Sequence, residues 1–459
     1  MRRKDEDAVL AWLSDPHRKP LLIRGARQVG KSTLVRLAAR AAGLRLWEVN
    51  LEQHGVLGAA FDSLSPDVIL REIGLVLGQA GVGTGPGILF LDEIQAVPRA
   101  LVALRYFFEL HPELPVIAAG SLLEFSLAES GQSMPVGRVQ SHFLGPLSFE
   151  EFLGALGDEL LLEALETQGD PARFSLVAHQ RLLDLVREYL LVGGMPEAVQ
   201  RYVDSRDLSA AIQVHRSIIG TYVDDFGKYV RGADVEKIRR IFEQLPLHLA
   251  QKVRFNRYHP DWRAADIRRC LELLQRAGVA VAAVHSDGNG SPIGAEEDPS
   301  TYKLFHLDVG LVGTMTGTQL SLAEFSAGRF INEGVLAEQF VAQQLLRAQP
   351  PDDRPRLHYW QRDGASRNAE VDFLLQRGAS VLPIEVKAGS SGTLRSLHQF
   401  MLKHPGKDAI RFDLNPPSVQ MIETQVMSGR NQTTARYRLH NQPLYLAGVT
   451  TSRHTELSQ

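Results

Sequence analysis

The sequence predicts an α/β protein of several domains, and three observations predict it. Short apolar runs alternate with helix-like segments between residues 20 and 147, as in a parallel sheet covered by helices. A glycine-rich loop stands between the first of those runs and the helix after it. A further pair of short strands, both carrying acids, lies towards the C-terminus.

The 459 residues exceed one compact core, so two to four domains are expected. A hydrophobic fraction of 44% beside 22% charged residues is that of an ordinary globular chain, and no apolar run approaches the length of a membrane span. The first residues turn acidic at Asp5-Glu-Asp where a signal peptide needs an apolar stretch, so a cytoplasmic protein is expected. Cys270 is the sole cysteine, which excludes an intrachain disulfide and a thiolate zinc cluster. A net charge of −3 and a pI near 6.6 argue against nonspecific coating of nucleic acid. A local basic patch remains, because residues 228 to 276 hold twelve Lys or Arg against six Asp or Glu.

The expected strands of the first domain are Leu21-Leu-Ile, Leu46-Trp-Glu-Val, Ile88-Leu-Phe-Leu and Pro115-Val-Ile-Ala-Ala. From Ser148 to about Gln200 the pattern is helical, broken at Gly193-Gly-Met-Pro. Helices continue from 201 and give way to two strands, Val279-Ala-Val-Ala-Ala-Val and Tyr302-Lys-Leu-Phe-His-Leu. The 285–300 stretch between them has the composition of a disordered hairpin tip, and helix, helix, hairpin is the order of a winged helix. The last part opens with a helix over 331–348, continues as short strands and ends in a polar tail.

The segment Gly25-Ala26-Arg27-Gln28-Val29-Gly30-Lys31-Ser32-Thr33 fits G-x(4)-G-K-[ST] between strand and helix. Such a loop turns successive N–H groups and a helix N-terminus towards phosphates. Lys31 is expected to reach the β and γ oxygens of ATP, and Ser32 to ligate Mg2+. Ile88-Leu-Phe-Leu-Asp-Glu is a buried strand ending in acids, with Asp92 the partner of Mg2+ and Glu93 placed to polarise the attacking water. Ser121, after the next strand, is expected to sense the γ-phosphate. Arg138 is either a transition-state arginine or a surface residue.

Near the C-terminus, Glu370-Val-Asp-Phe and Leu382-Pro-Ile-Glu-Val-Lys read as two strands. A turn over Arg377–Ser380 sets Asp372 across from Glu385, with Lys387 on the same face as Glu385. Two carboxylates and an ammonium at one spot suit Mg2+ and a water poised for phosphodiester attack, with Glu338 on an earlier helix as a third carboxylate. A salt-bridged surface hairpin would show the same residues.

Taken with Gly120-Ser121, Gly145-Pro-Leu-Ser-Phe-Glu-Glu-Phe, Gly193-Gly-Met-Pro-Glu-Ala-Val and Leu307-Asp-Val-Gly-Leu, these marks resemble a family over nearly the whole chain. It is that of the predicted bacterial and archaeal AAA+ ATPases whose C-terminal domain of unknown function resembles the PD-(D/E)xK nucleases. The resemblance implies an ATPase core over 1–147, a helical lid over 148–200, a winged-helix-like region over 201–328 and a nuclease-like domain over 329–459. It also implies Glu338, Asp372, Glu385 and Lys387 as a metal and catalytic set, with Val371-Asp372 standing where the nuclease motif has Pro-Asp.

Two functions follow. The first is an ATP-driven, Mg2+-dependent enzyme acting on duplex or branched DNA as a homo-oligomer, up to a hexamer. Arg263, Arg268, Arg269 and Arg276 lie off the apolar stripe of one helix and could meet phosphates there. The second is a regulatory ATPase switch whose C-terminal domain binds a protein partner, in which case those arginines are a solvated face.

Overall fold

In the computed structural model of the protein, the described residues are 1–121, 123, 137–167, 170, 173–230, 232–317, 333–362, 369–389, 393–404, 408–428 and 431–450. They form two compact units: Met1–Pro146 with Arg276–Val279 and Pro350–Pro355, and Leu147–Gln275 with Ala280–Gln349 and Arg356–Gln459.

The first unit is built on five parallel strands: β1 (Leu21–Arg24), β2 (Arg45–Asn50), β3 (Gly87–Asp92), β4 (Val116–Gly120) and β5 (Gln140–Phe143). Their order is β2-β3-β4-β1-β5. β3 and β4 are buried along their whole length, which is why the sequence shows them as unbroken apolar runs without alternation. With β4 paired to both β1 and β3, the loop leaving β1 and the acids ending β3 share one edge of the sheet. Around it run α1 (Asp5–Ser14), α2 (Lys31–Ala41), α3 (Gly58–Asp62), α4 (Pro66–Leu77) and α5 (Pro98–Leu110). Trp47, Phe61, Ile73, Leu104 and Phe107 fill the core on one side of the sheet.

The second unit holds an eight-stranded mixed sheet in the order β12-β13-β11-β10-β9-β8-β6-β7. Its strands are β6 (Ala280–Ser286), β7 (Glu297–His306), β8 (Leu357–Gln361), β9 (Glu370–Arg377), β10 (Ser380–Val386), β11 (Asp408–Asp413), β12 (Ser418–Ser428) and β13 (Asn431–Pro443). Helices before the sheet are α6 (Phe149–Leu156), α7 (Glu159–Thr167), α8 (Leu176–Val192), α9 (Pro196–Ser205), α10 (Leu208–Tyr229), α11 (Ala233–Gln244), α12 (Phe255–Tyr258) and α13 (Ala264–Arg276). Within it come α14 (Val309–Thr316), α15 (Glu333–Arg347) and α16 (Arg395–Lys403).

Two expectations need correction. The hairpin of β6 and β7 does not stand apart as the wing of a 201–328 region, because β6 pairs in parallel with β8, Ala283 to Leu357 and His285 to Tyr359. Pairing satisfies a strand edge that would otherwise be exposed, so one sheet runs across the boundary drawn at 328. The 285–300 stretch is also more ordered than its composition suggests. β7 starts at Glu297, Ser286 Oγ donates to Ile293 O at 2.9 Å, and Asn289 Nδ2 donates to Glu296 Oε1 at 2.9 Å. Residues 331 and 332 of the expected C-terminal helix lie outside the described residues.

Several of the sequence marks are packing devices. Ser148 and Glu151 close a capping box at the start of α6. Asp308 is fully buried, accepting from Gly194 N–H at 2.6 Å, Gly310 N–H at 3.0 Å and Gln343 Nε2 at 2.9 Å. A Cβ on Gly193 would lie 2.1 Å from Asp308 Oδ1 and one on Gly194 2.2 Å from Leu147 O, so the glycine pair is needed for Asp308 to reach the end of α8. Among the described residues no helix is long and apolar enough to cross a membrane.

Candidate functional site

The loop between β1 and α2 is shaped by backbone constraints. Gly25 has φ 150° and a Cβ there would sit 2.2 Å from Leu144 O, while Gly30 has φ 93° as the residue before α2. No side chain caps α2, so the N–H groups of its first turn are left to a ligand or water. Ala26 and Val29 are buried beneath the loop, while Gln28 and Thr33 are exposed. Arg3, which no local pattern singles out, fastens the loop from behind. It is buried and donates to Val29 O and Gly145 O, both at 2.9 Å.

Lys31 Nζ donates to Gly25 O at 3.0 Å and Ala26 O at 2.7 Å. Burial pushes this ammonium down to about 8, against the pull of Glu93 and Asp92, with Arg27 adding to the fall. Asp92 ends β3 and is occupied on both oxygens. Oδ2 accepts from Ser32 Oγ at 2.7 Å and Oδ1 from Glu93 N–H at 3.0 Å. Burial raises the Asp92 pKa, and the Ser32 hydroxyl opposes it. The two side chains expected to share Mg2+ therefore already touch, and a hydroxyl, a carboxylate and a buried ammonium beside bare helix N–H groups fit a magnesium–triphosphate.

Glu93 adopts a left-handed backbone at φ 51°, which swings it off the strand. Its Oε2 accepts from Gln95 Nε2 and lies 3.5 Å from Ser121 Oγ. Gln95 is a second residue missed at the sequence level. A Cβ on Gly120 would come 2.3 Å from Gln95 Oε1, so Gly120 makes the room that Gln95 fills. Arg138 is elsewhere in the unit: it donates to Glu109 Oε1 at 3.1 Å and stands just before β5, whose first residue pairs with Leu21. That is the sheet edge opposite the loop, so Arg138 does not join this site within its own chain.

The second unit assembles a different centre. The β9–β10 hairpin turns at Gly378 and Ala379, and its register, Arg377 with Ser380 through Phe373 with Ile384, carries Asp372 opposite Glu385. α15 packs over β7, β8 and β10 and brings Glu338 to the same place. Asp372 Oδ2 accepts from Val386 N–H at 2.7 Å, and Lys387 Nζ donates to Glu385 Oε1 at 2.5 Å. Burial, then the nearby Asp372, pushes Glu385 up to about 7, and Glu338 is raised by the same two causes.

Lys303 of β7 was not foreseen here. It is fully buried, pairs with Glu370 Oε1, and has Glu338 Oε2 at 3.7 Å and Asp372 Oδ1 at 4.0 Å. The Tyr359 ring lies 5.2 Å from its ammonium. Burial would lower its pKa, yet Glu338, Glu370 and Asp372 together hold it above the ordinary lysine value. Glu338, Asp372 and Glu385, the expected Mg2+ set, are thus near one another, with Lys303 among them. Among the described residues no group of three or more acids, histidines or cysteines is disposed to hold a metal ion.

The first unit is therefore a P-loop nucleotide-binding fold. Residues 17–153 match the family described as an AAA domain, and with the parallel sheet this supports an AAA+ ATPase. Residues 183–321 and 333–429 match two families, each described as a domain of unknown function, DUF8612 and DUF4143. No curated protein matches the chain. Among solved structures it is similar to "Structure of the Aeropyrum Pernix ORC2 protein (ADPNP-ADP complexes)" at 13% identity and a TM-score of 0.24, covering 70% of this chain and 95% of that one.

Proposed function

We propose that this protein hydrolyses ATP with Mg2+ at the loop of residues 25–33. The observation that carries the proposal is Ser32 and Asp92 in contact at the end of an all-buried strand, beside a lysine whose charge burial disfavours. Lys31 would take the β and γ oxygens, Ser32 and Asp92 the magnesium, and Glu93 the attacking water, with Ser121 and Gln95 setting the position of Glu93. Calorimetry with MgATP tests it: Lys31→Ala should abolish binding, whereas Glu93→Gln should bind normally and turn over at least about tenfold more slowly. Wild-type turnover in Glu93→Gln would remove Glu93 from the role.

The work done by that hydrolysis is proposed to be on DNA, supported by the exposed arginines Arg263, just before α13, and Arg268 and Arg276 within it. One observation favours the alternative, a regulatory switch. The neighbouring charges are already paired, Arg269 with Asp234 at 3.4 Å, Lys237 with Asp266 at 2.9 Å and Arg240 with Glu236 at 3.0 Å. ATPase rates with linear, single-stranded and four-way-junction DNA at low and moderate salt separate the two. Stimulation that fades with salt supports DNA, and unchanged rates support the switch.

A further inference from the structure

Four carboxyl groups, from Glu338, Glu370, Asp372 and Glu385, converge in the second unit, and oxygens of this kind are what a hard divalent cation takes as ligands. A cation needs several of them free to turn their lone pairs towards one point. Asp372 has one oxygen on Val386 N–H and the other facing Lys303, Glu370 pairs with Lys303, and Glu385 Oε1 holds Lys387. Glu338 Oε2 and Glu385 Oε2 have no hydrogen bond among the described residues, but Glu338 Oε2 already faces the Lys303 ammonium at 3.7 Å. A divalent ion placed on these oxygens would share its ligands with a lysine that has no route to water, since Lys303 is fully buried.

We propose that Lys303 is the built-in counter-cation of this acid cluster, standing where a divalent metal would stand, and that the cluster takes no divalent metal while Lys303 is in place. The lysine is supplied by β7, three strands away from β9 in the sheet, so the cluster closes only when the whole sheet from β7 to β10 is formed. Binding or chemistry at this centre then falls to ammonium and carboxyl groups, with Lys387 held by Glu385 as the partly exposed member.

The test is direct metal binding, independent of any activity. Mn2+ is titrated into nucleotide-free, full-length protein carrying Asp92→Asn, which silences the first unit's metal position, and free Mn2+ is followed by electron paramagnetic resonance. The expected result is no Asp372-dependent site tighter than about 1 mM, and a site at least about tenfold tighter once Lys303→Met is added. An Mn2+ site that disappears on Asp372→Asn while Lys303 is present overturns the proposal. A Lys303→Met protein that is folded by circular dichroism yet gains no site overturns it as well. If Lys303→Met does not fold, the protein retaining Lys303 decides alone: no Asp372-dependent site supports the proposal, and such a site refutes it.

Discussion

Lys31 and Lys303 are both buried lysines beside carboxylates, and their ionisation shifts in opposite directions. Lys31 rests on two carbonyl oxygens and is pushed down to about 8 by burial that Glu93 and Asp92 only partly offset. Lys303 is buried at least as deeply, yet three carboxylates hold it above the ordinary value. The first is a cation short of negative charge, which a polyphosphate would supply. The second has its negative charge already. A site awaiting an anion and a centre closed on itself therefore differ less in residue type than in what the chain has placed around the ammonium.

The contrast breaks most visibly in stability. Lys303→Met strands Glu338, Glu370 and Asp372 without their cation and should destabilise the protein by about 3–5 kcal/mol, as removal of one partner from a buried ion cluster does. Lys31→Met removes a cation without a paired acid and should leave the nucleotide-free protein as stable as wild type or more so. Urea midpoints of the two variants, taken without nucleotide, measure this. Equal losses would mean that Lys31 is as well compensated as Lys303 and would end the comparison.

The same contrast explains what the sequence could show. Gly25, Gly30, Lys31, Ser32 and Asp92 are legible because local spacing decides their geometry: a strand, a tight loop and a helix bring them together, with one further strand for Asp92. Asp372 opposite Glu385 is legible for the same reason, since a two-residue turn sets the register. Lys303 is not, because it meets Glu338, Glu370 and Asp372 only through pairings of β6 with β8 and β8 with β9 that no local pattern encodes. Its one signal is a lysine sharing a strand face with Phe305 in an apolar run, by two-residue alternation. Arg3 and Gln95 are hidden likewise, one acting over long sequence distance and the other lying two residues past the acid pair that ends β3. The Gly193-Gly194 and Asp308 marks were legible as words but not as meaning, for they meet each other and build a helix end.

A third buried base sharpens the comparison at smaller scale. His306 accepts Asp308 N–H at Nδ1 over 3.3 Å, its backbone is held by Gln339, and burial lowers its pKa to about 4. Like Lys31 it is buried and shifted down, but no acid pulls against the shift, and it escapes the cost by staying neutral. Because the folded value lies below the unfolded one of about 6.5, the stability tied to the neutral ring is full above pH 6.5 and lost as pH falls towards 4. At pH 5.5 the loss should be about 1 kcal/mol. Glu385 acts with the opposite sign: its folded value of about 7 lies above the unfolded one, so it gains stability over the same descent. The wild-type profile alone would mix the two, and the difference between wild type and His306→Leu, followed as urea midpoint from pH 7.5 to 5, isolates the histidine. The wild type should lose its advantage over the variant as the solution is acidified, and a difference that stays constant across that range would show that His306 is not held neutral by its surroundings.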